Sequence, residues 1–147
     1  MVAQAPPAGE LAGRVALIVG GASGIGRAAA RTLAERGAHV AVADLNTRGS
    51  ELVAEEIVAT YGEERASSVQ GDVTDEAAVA EMMRHAVLTY GGIAILGASA
   101  GLATSAPVTE TTVDEWERNH AVLVRGYFLA AREAAGHEAS PSAGVID

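Results

Sequence analysis

The chain has 147 residues, 10 basic against 19 acidic side chains and a formal charge of −9, with 49% of its residues apolar and only 3% aromatic. Length and apolar content suit one domain with one core built from Ala, Val, Leu and Ile, and the acidity argues against nucleic acid or an anionic membrane as the main partner. Cysteine is absent and every basic residue is an arginine, which excludes disulfides, thiol nucleophiles, Cys-type metal sites, Schiff bases, P-loop lysines and Tyr-Lys pairs.

Residues 1–12, with Pro6-Pro7, are expected to form a flexible leader, because proline lacks an N–H and fixes φ; residues 13–147 are expected to be a single domain. The leader has no basic stretch ahead of an apolar run and does not read as a signal peptide. No apolar run approaches the ~18 residues of a membrane span, so the expectation is a soluble, cytoplasmic protein. Val15–Val19 is a continuous apolar run bounded by Gly20-Gly21, the pattern of a strand buried on both faces. Ser23 is placed to cap the helix that follows. Ile25, Ala28, Ala29, Thr32 and Leu33 share one face of it, and Gly37 lies just past its end.

The pattern then repeats. A strand at 39–43 leads to a helix at 50–61, ended by Gly62. A more polar strand, Ala66–Gln70, suits a position near a sheet edge. A helix at 75–90, capped by Thr74, leads to a strand at 93–96. Thr112-x-x-Glu115 is a capping box opening a long helix to about residue 135, with Trp116, His120, Leu123 and Tyr127 expected as an inward stripe. Residues 143–147 have the composition of the start of a fifth strand. Strand-helix alternation at these spacings predicts right-handed βαβ units. The fold class is therefore α/β, a Rossmann-type doubly wound parallel sheet of strand order 3-2-1-4, truncated at strand 5.

The first strand runs into Gly20-Gly21-Ala22-Ser23-Gly24-Ile25-Gly26 and then a helix. This is where a βαβ unit holds a phosphate. Gly20 allows the tight turn, Gly24 leaves room for a pyrophosphate to approach, and Gly26 lets the helix pack on the strand; the helix end offers free N–H groups and a partial positive charge. The second strand ends at Asp44, 18 residues after Gly26. A carboxylate there can accept from both ribose hydroxyls of an adenosine and repels a 2′-phosphate. A methyltransferase places a similar loop and acid, but usually adds an acid at the end of strand one, where this chain has Leu17-Ile-Val19. The four histidines lie far apart and none stands in an H-E-x-x-H arrangement, so no metal site is expected.

With these residues in place, the chain resembles the classical short-chain dehydrogenase/reductase family. Val19-Gly20-x-x-x-Gly24-Ile25-Gly26 is similar to that family's Thr-Gly-x-x-x-Gly-Ile-Gly, Asp72-Val73 to its adenine-contacting Asp-Val, and Ala98-Ser99-Ala100-Gly101 to its Asn-Asn-Ala-Gly. Trp116 and Arg125-Gly126 match its long helix before strand five. The resemblance covers residues 11 to about 133. It implies hydride transfer between a nicotinamide cofactor and an alcohol or carbonyl carbon of a small molecule. Asp44, together with Ser23 where NADP-preferring members often carry a basic residue, points to NAD. The implied cofactor contacts are Gly20, Ser23, Gly24, Ile25, Gly26, Asp44, Leu45, Asp72, Val73, Ala98, Ala100 and Gly101. Residues 110–112 and 119–126 are most similar to the dehydrogenase half of bifunctional rhamnulose-phosphate aldolase/short-chain dehydrogenases. The resemblance also implies a homo-oligomer for a complete domain.

The departures are specific. Val19 stands for the family's threonine, Ala98 and Ser99 for two asparagines, Gly97 for an apolar strand residue and Leu123 for the asparagine of the catalytic tetrad. The Tyr-x-x-x-Lys pair has no counterpart, and Ser140 and Ser142 precede the start of the fifth strand, where the family serine cannot lie. No residue of the chain is assigned a catalytic role. The expectation is the cofactor-binding portion of an NAD-dependent dehydrogenase, inactive alone, with a non-catalytic NAD-binding module as the alternative.

Overall fold

The unbroken apolar run Val15–Val19 forms strand β1, buried along its whole length. The computed structural model describes residues 9–137; the first part of the leader and the expected fifth strand at 143–147 lie outside the described residues. After β1 come α1 (Gly24–Glu35), β2 (His39–Asp44), α2 (Thr47–Tyr61), a 3-10 turn (Glu63–Arg65), β3 (Ala66–Gln70), α3 (Glu76–Tyr90) and β4 (Ile95–Ala98). A long helical stretch follows: α4 (Val113–His120), a π turn (Ala121–Arg125) and α5 (Gly126–Ala135).

The four strands are parallel, in the order β3-β2-β1-β4, as the βαβ pattern predicts. Val19 pairs with Ala43 on one side and Ala98 on the other, and Asp44 pairs with Gln70. The carboxyl ends of the strands are therefore level. Alternation along each strand divides the core. Ala16, Ile18, Val40 and Val42 face α1 and α2, while Leu17, Val19, Ala41 and Ala43 face α3 and α5. Strand Ala66–Gln70 lies at the sheet edge, where its polar composition is tolerated.

Several local expectations shift. The face of α1 that meets the sheet is Gly26, Ala30 and Ala34; of the expected stripe Leu33 packs against the core, while Ile25, Ala28 and Thr32 are exposed, Ile25 by 83%. Close approach to β1 selects the smallest side chains rather than the most apolar ones. Gly37 follows the end of α1 as expected, its N–H reaching Ala34 O (3.0 Å) while Ala38 N–H reaches Leu33 O (3.0 Å), the double bond pattern of a Schellman turn. The cap of α3 is Asp75 and not Thr74. The Asp75 carboxylate accepts from the Ala77 and Ala78 amides, and Thr74 is held by Asp72 instead. The helix expected at 50–61 begins at Thr47, capped by the Asn46 side chain. Strand β4 lies two residues later than expected and includes Gly97. A Cβ on Gly97 would come within 2.7 Å of Ile18 Cδ1, so the Ile18 side chain fills the space that a larger residue would take.

Candidate functional site

The residues marked by the sequence gather at the carboxyl ends of the four strands. β1 ends at Val19, and Gly20 turns the chain with φ +82°, a conformation glycine adopts without steric cost. A Cβ there would run into the backbone of Ser99 and Ala100, so the loops after β1 and β4 touch at this point. The Gly20 and Gly21 amides both donate to Ala43 O (2.8 and 3.1 Å), and the Ala22 amide donates to Asp44 Oδ2 (3.0 Å). Three successive amides thus fasten the glycine loop to the end of β2. The loop after β4 is tied to the end of β1 as well, since Ser99 N–H donates to Val19 O (2.7 Å).

Ser23 occupies the N-cap of α1 in extended conformation, but its side chain makes no capping bond. The Arg27 amide makes the first helical bond, to Ser23 O (3.1 Å), so the amides of Gly24, Ile25 and Gly26 precede the ladder. The first turn of α1 carries no acid, whereas those of α3 and α4 hold Glu76, Asp114 and Glu115. The α1 dipole therefore has no acid of its own helix at its positive end, where the nearest carboxylate is that of Asp44, bonded to the Ala22 amide. Gly24 has φ +53°, and a Cβ there would meet nothing within 4 Å. A Cβ on Gly26 would collide with the Gly20 carbonyl. Free amides, a first turn without acids and open space at Gly24 together suit a phosphate or another anion.

Asp44 is half-buried beside this end, with Oδ1 accepting from the Asn46 amide (2.9 Å) and Oδ2 from Ala22. An ionised carboxylate has about four acceptor positions, so two backbone amides leave capacity for hydroxyl donors. Leu45 is 63% exposed next to it. Asp72 Oδ1 accepts from both the Thr74 amide (2.8 Å) and hydroxyl (2.7 Å), which fixes the turn after β3. Val73 is buried. On the β4 side, Ala98 pairs with Val19, Ala100 lies against Gly20, and a Cβ on Gly101 would touch Leu123 Cδ2 at 3.4 Å.

The inward stripe expected on the long helix is overturned. Trp116, Leu123 and Tyr127 are 58%, 48% and 49% exposed, and His120 is exposed too. The sheet-facing residues are Gly126, Leu129 and Ala130, with Val122 and Ala134 half-buried against them. Both faces are apolar enough to be buried, and the π turn changes the angular register between α4 and α5. His120 Nδ1 donates to Trp116 O (3.0 Å), and the two rings stack with centroids 4.2 Å apart. An open groove of about 380 Å³ on the outer face of this helix is lined by Glu117, His120, Ala121, Val124, Arg125 and Phe128. It shares no residue with the strand-end cluster. Three links had no sequence signal: Asn119 Nδ2 donates to Thr104 Oγ1 (3.0 Å), the Arg125 guanidinium to Thr74 O (3.4 Å), and Gly126 packs against Val73. Each joins residues far apart in the chain.

Sheet order, crossovers and the glycine turn at the strand ends define a doubly wound α/β protein of Rossmann type. The family model for short chain dehydrogenases matches residues 14–146, and the chain belongs to that family. It is 53% identical over 130 residues to the uncharacterized oxidoreductase YuxG of Bacillus subtilis, covering 88% of this chain and 19% of that protein. It is 40% identical over 134 residues to cis-4-hydroxycyclohexanecarboxylate dehydrogenase of Sinomonas cyclohexanicum, covering 90% of this chain and 53% of that one. A dehydrogenase/reductase structure from Sinorhizobium meliloti superposes with a TM-score of 0.82 at 39% identity, over 87% of this chain and 50% of its own length. The chain thus spans about half of the dehydrogenases it matches, and about a fifth of the Bacillus protein. Enzymes of this family use a nicotinamide cofactor, NAD or NADP.

Proposed function

We propose that the chain is the NAD-binding portion of an oxidoreductase acting on a small alcohol or carbonyl compound. One observation carries the reading: the acid-free amino end of α1 stands one loop away from the Asp44 carboxylate, and the Ala22 amide ties the two together at 3.0 Å. The amides of Gly24, Ile25 and Gly26 would hold the pyrophosphate, with Gly20 and Ser23 shaping the loop around it. Asp44 would accept from the adenosine ribose hydroxyls and oppose a 2′-phosphate, with Leu45 at the rim. Asp72 and Val73 would line the adenine end, and Ala98, Ala100 and Gly101 the nicotinamide end. Bound there, NAD supplies a hydride acceptor at its nicotinamide ring.

The names of the relatives favour an oxidoreductase over a non-catalytic binding module. A narrower reading, the dehydrogenase half of a bifunctional rhamnulose-phosphate aldolase/dehydrogenase, rests on the resemblance of residues 110–112 and 119–126 alone. Calorimetry tests the cofactor assignment. NAD should bind more tightly than NADP, and Asp44→Ala should erode that preference. Equal affinities for the two in the parent chain overturn it.

A further inference from the structure

Glycine inside a helix is unfavourable, so Gly126 at the junction of the π turn and α5 asks for a reason. It is buried, and a Cβ added to it would stand 2.8 Å from Val73 Cγ2, 3.0 Å from Val73 Cβ and 3.3 Å from Ala121 O. Valine is stiff at χ1. Rotating its side chain could relieve the first contact but not the second, because Cβ moves only with the backbone. The Val73 backbone is in turn continuous with a fixed turn, since Asp72 Oδ1 holds both the amide and the hydroxyl of Thr74 and Asp72 O accepts from the Asp75 amide (3.1 Å). Two further links tie the same segment to the long helix: Arg125 to Thr74 O and Arg132 to the Glu76 carboxylate. To admit a larger residue 126, Val73 must give by a few tenths of an ångström, and the turn that carries Val73 carries Asp72 too.

We propose that Gly126 is a positioning residue for the nucleotide site: it sets the depth at which Val73 seats on the helix and so the aim of Asp72 at the adenine end. This rests on the nucleotide reading given above, and the test separates the two. AMP is the probe, because it occupies the adenine end without the nicotinamide. Gly126→Ala adds one methyl and improves helix propensity. The variant should stay folded, with its amide NMR shifts concentrated at residues 71–75, and lose about tenfold or more in AMP affinity. In a Val73→Gly background, where the contacts with both Cγ2 and Cβ are gone, the same Gly126→Ala change should have little further effect; a role in helix stability alone would cost the same in either background. A folded Gly126→Ala chain that binds AMP as the parent does, or effects that simply add, overturns the role of Gly126 and leaves the nucleotide site standing. A parent chain that takes up no AMP overturns the nucleotide reading and this role with it.

Discussion

The two oxygens of Asp44 each accept a backbone amide, from Asn46 and from Ala22, so this side chain braces the glycine loop whether or not it meets a ribose. Gly24 has the opposite character: nothing stands within 4 Å of where its Cβ would be. Gly24→Val should abolish NAD binding while the helical circular dichroism persists. Gly24→Asn separates occlusion from strain, because asparagine tolerates the left-handed backbone at φ +53° better than other residues; it too should lose binding, and retained affinity would make the loop only a turn. At the far side of the sheet, His85 Nε2 lies 3.0 Å from Ser67 Oγ. Burial holds the His85 imidazole below its ordinary value, with Arg84 acting in the same direction and Glu81 against it. The unfolded chain then takes up the proton first. His85 therefore contributes stability above the ordinary histidine value of 6.5, and that contribution is lost as pH falls through the depressed folded value. Urea midpoints at about pH 7.5 and about pH 5 should fall less with acidification in His85→Gln than in the parent; parallel losses would remove His85 from the account.

Among the helices, α1, α2, α3 and α5 each bury residues against the sheet, whereas α4 buries none. It is held by the capping box of Thr112 and Glu115, by the link from Asn119 to Thr104 and by continuity with α5. Thr112→Ala should cost about 1 kcal/mol of local helix stability. Because α4 lacks core contacts, the loss should appear as faster amide exchange across 113–120 with protection in α5 retained. Uniformly faster exchange through both helices would mean that they open as one unit. Arg65 serves α1 in a complementary way, its guanidinium donating to Ala34 O (2.7 Å) and Ala38 O (3.1 Å) near the carboxyl end of the helix. A single arginine so joins α1, the start of β2 and the turn before β3.

Across the molecule, the strand ends gather the glycine loop, Asp44 and the turn at Asp72, while Trp116, Leu123, Val124, Tyr127 and Phe128 leave an apolar helix face in water. Among the described residues no helix is long and apolar enough to cross a membrane. Removing the proton from an alcohol as hydride leaves needs a positioned base, worth ~10²–10⁴-fold. The three tyrosines are poorly placed for that work. Tyr90 stacks on His39 at the start of β2, away from the strand ends, and burial raises its pKa. Tyr61 lies under Arg65 after α2, and Tyr127 is on the exposed helix face. No lysine is available to activate any of them. The 147-residue chain should therefore give no NADH absorbance change with lactaldehyde or simple alcohols beyond a buffer control. Clear turnover that disappears in His120→Ala would show that the histidine beside Trp116 can act as the base.

Much of the architecture was legible because it depends on a few consecutive residues. The run Val15–Val19, the glycines after it, the Thr112–Glu115 box and the turn at Gly37 state their own hydrogen bonds and backbone angles, and parallel order follows from strand-helix alternation. The glycine loop and Asp44 were marked for the same reason: they lie at the carboxyl ends of two consecutive strands, β1 and β2, which pair directly in this sheet. Facing was not legible. The apolar count favoured Ile25 and Leu123 for burial, yet the sheet admitted Gly26, Ala30 and Ala34 from α1 and Gly126, Leu129 and Ala130 from α5. Which stripe is buried depends on how near the helix axis can come to the strands and on the angular register set by the π turn. Both are distances between segments remote in the chain. The contact of Gly126 with Val73 belongs to the same class: neither residue carries any trace of the other until α5 packs beside the turn that leads into α3.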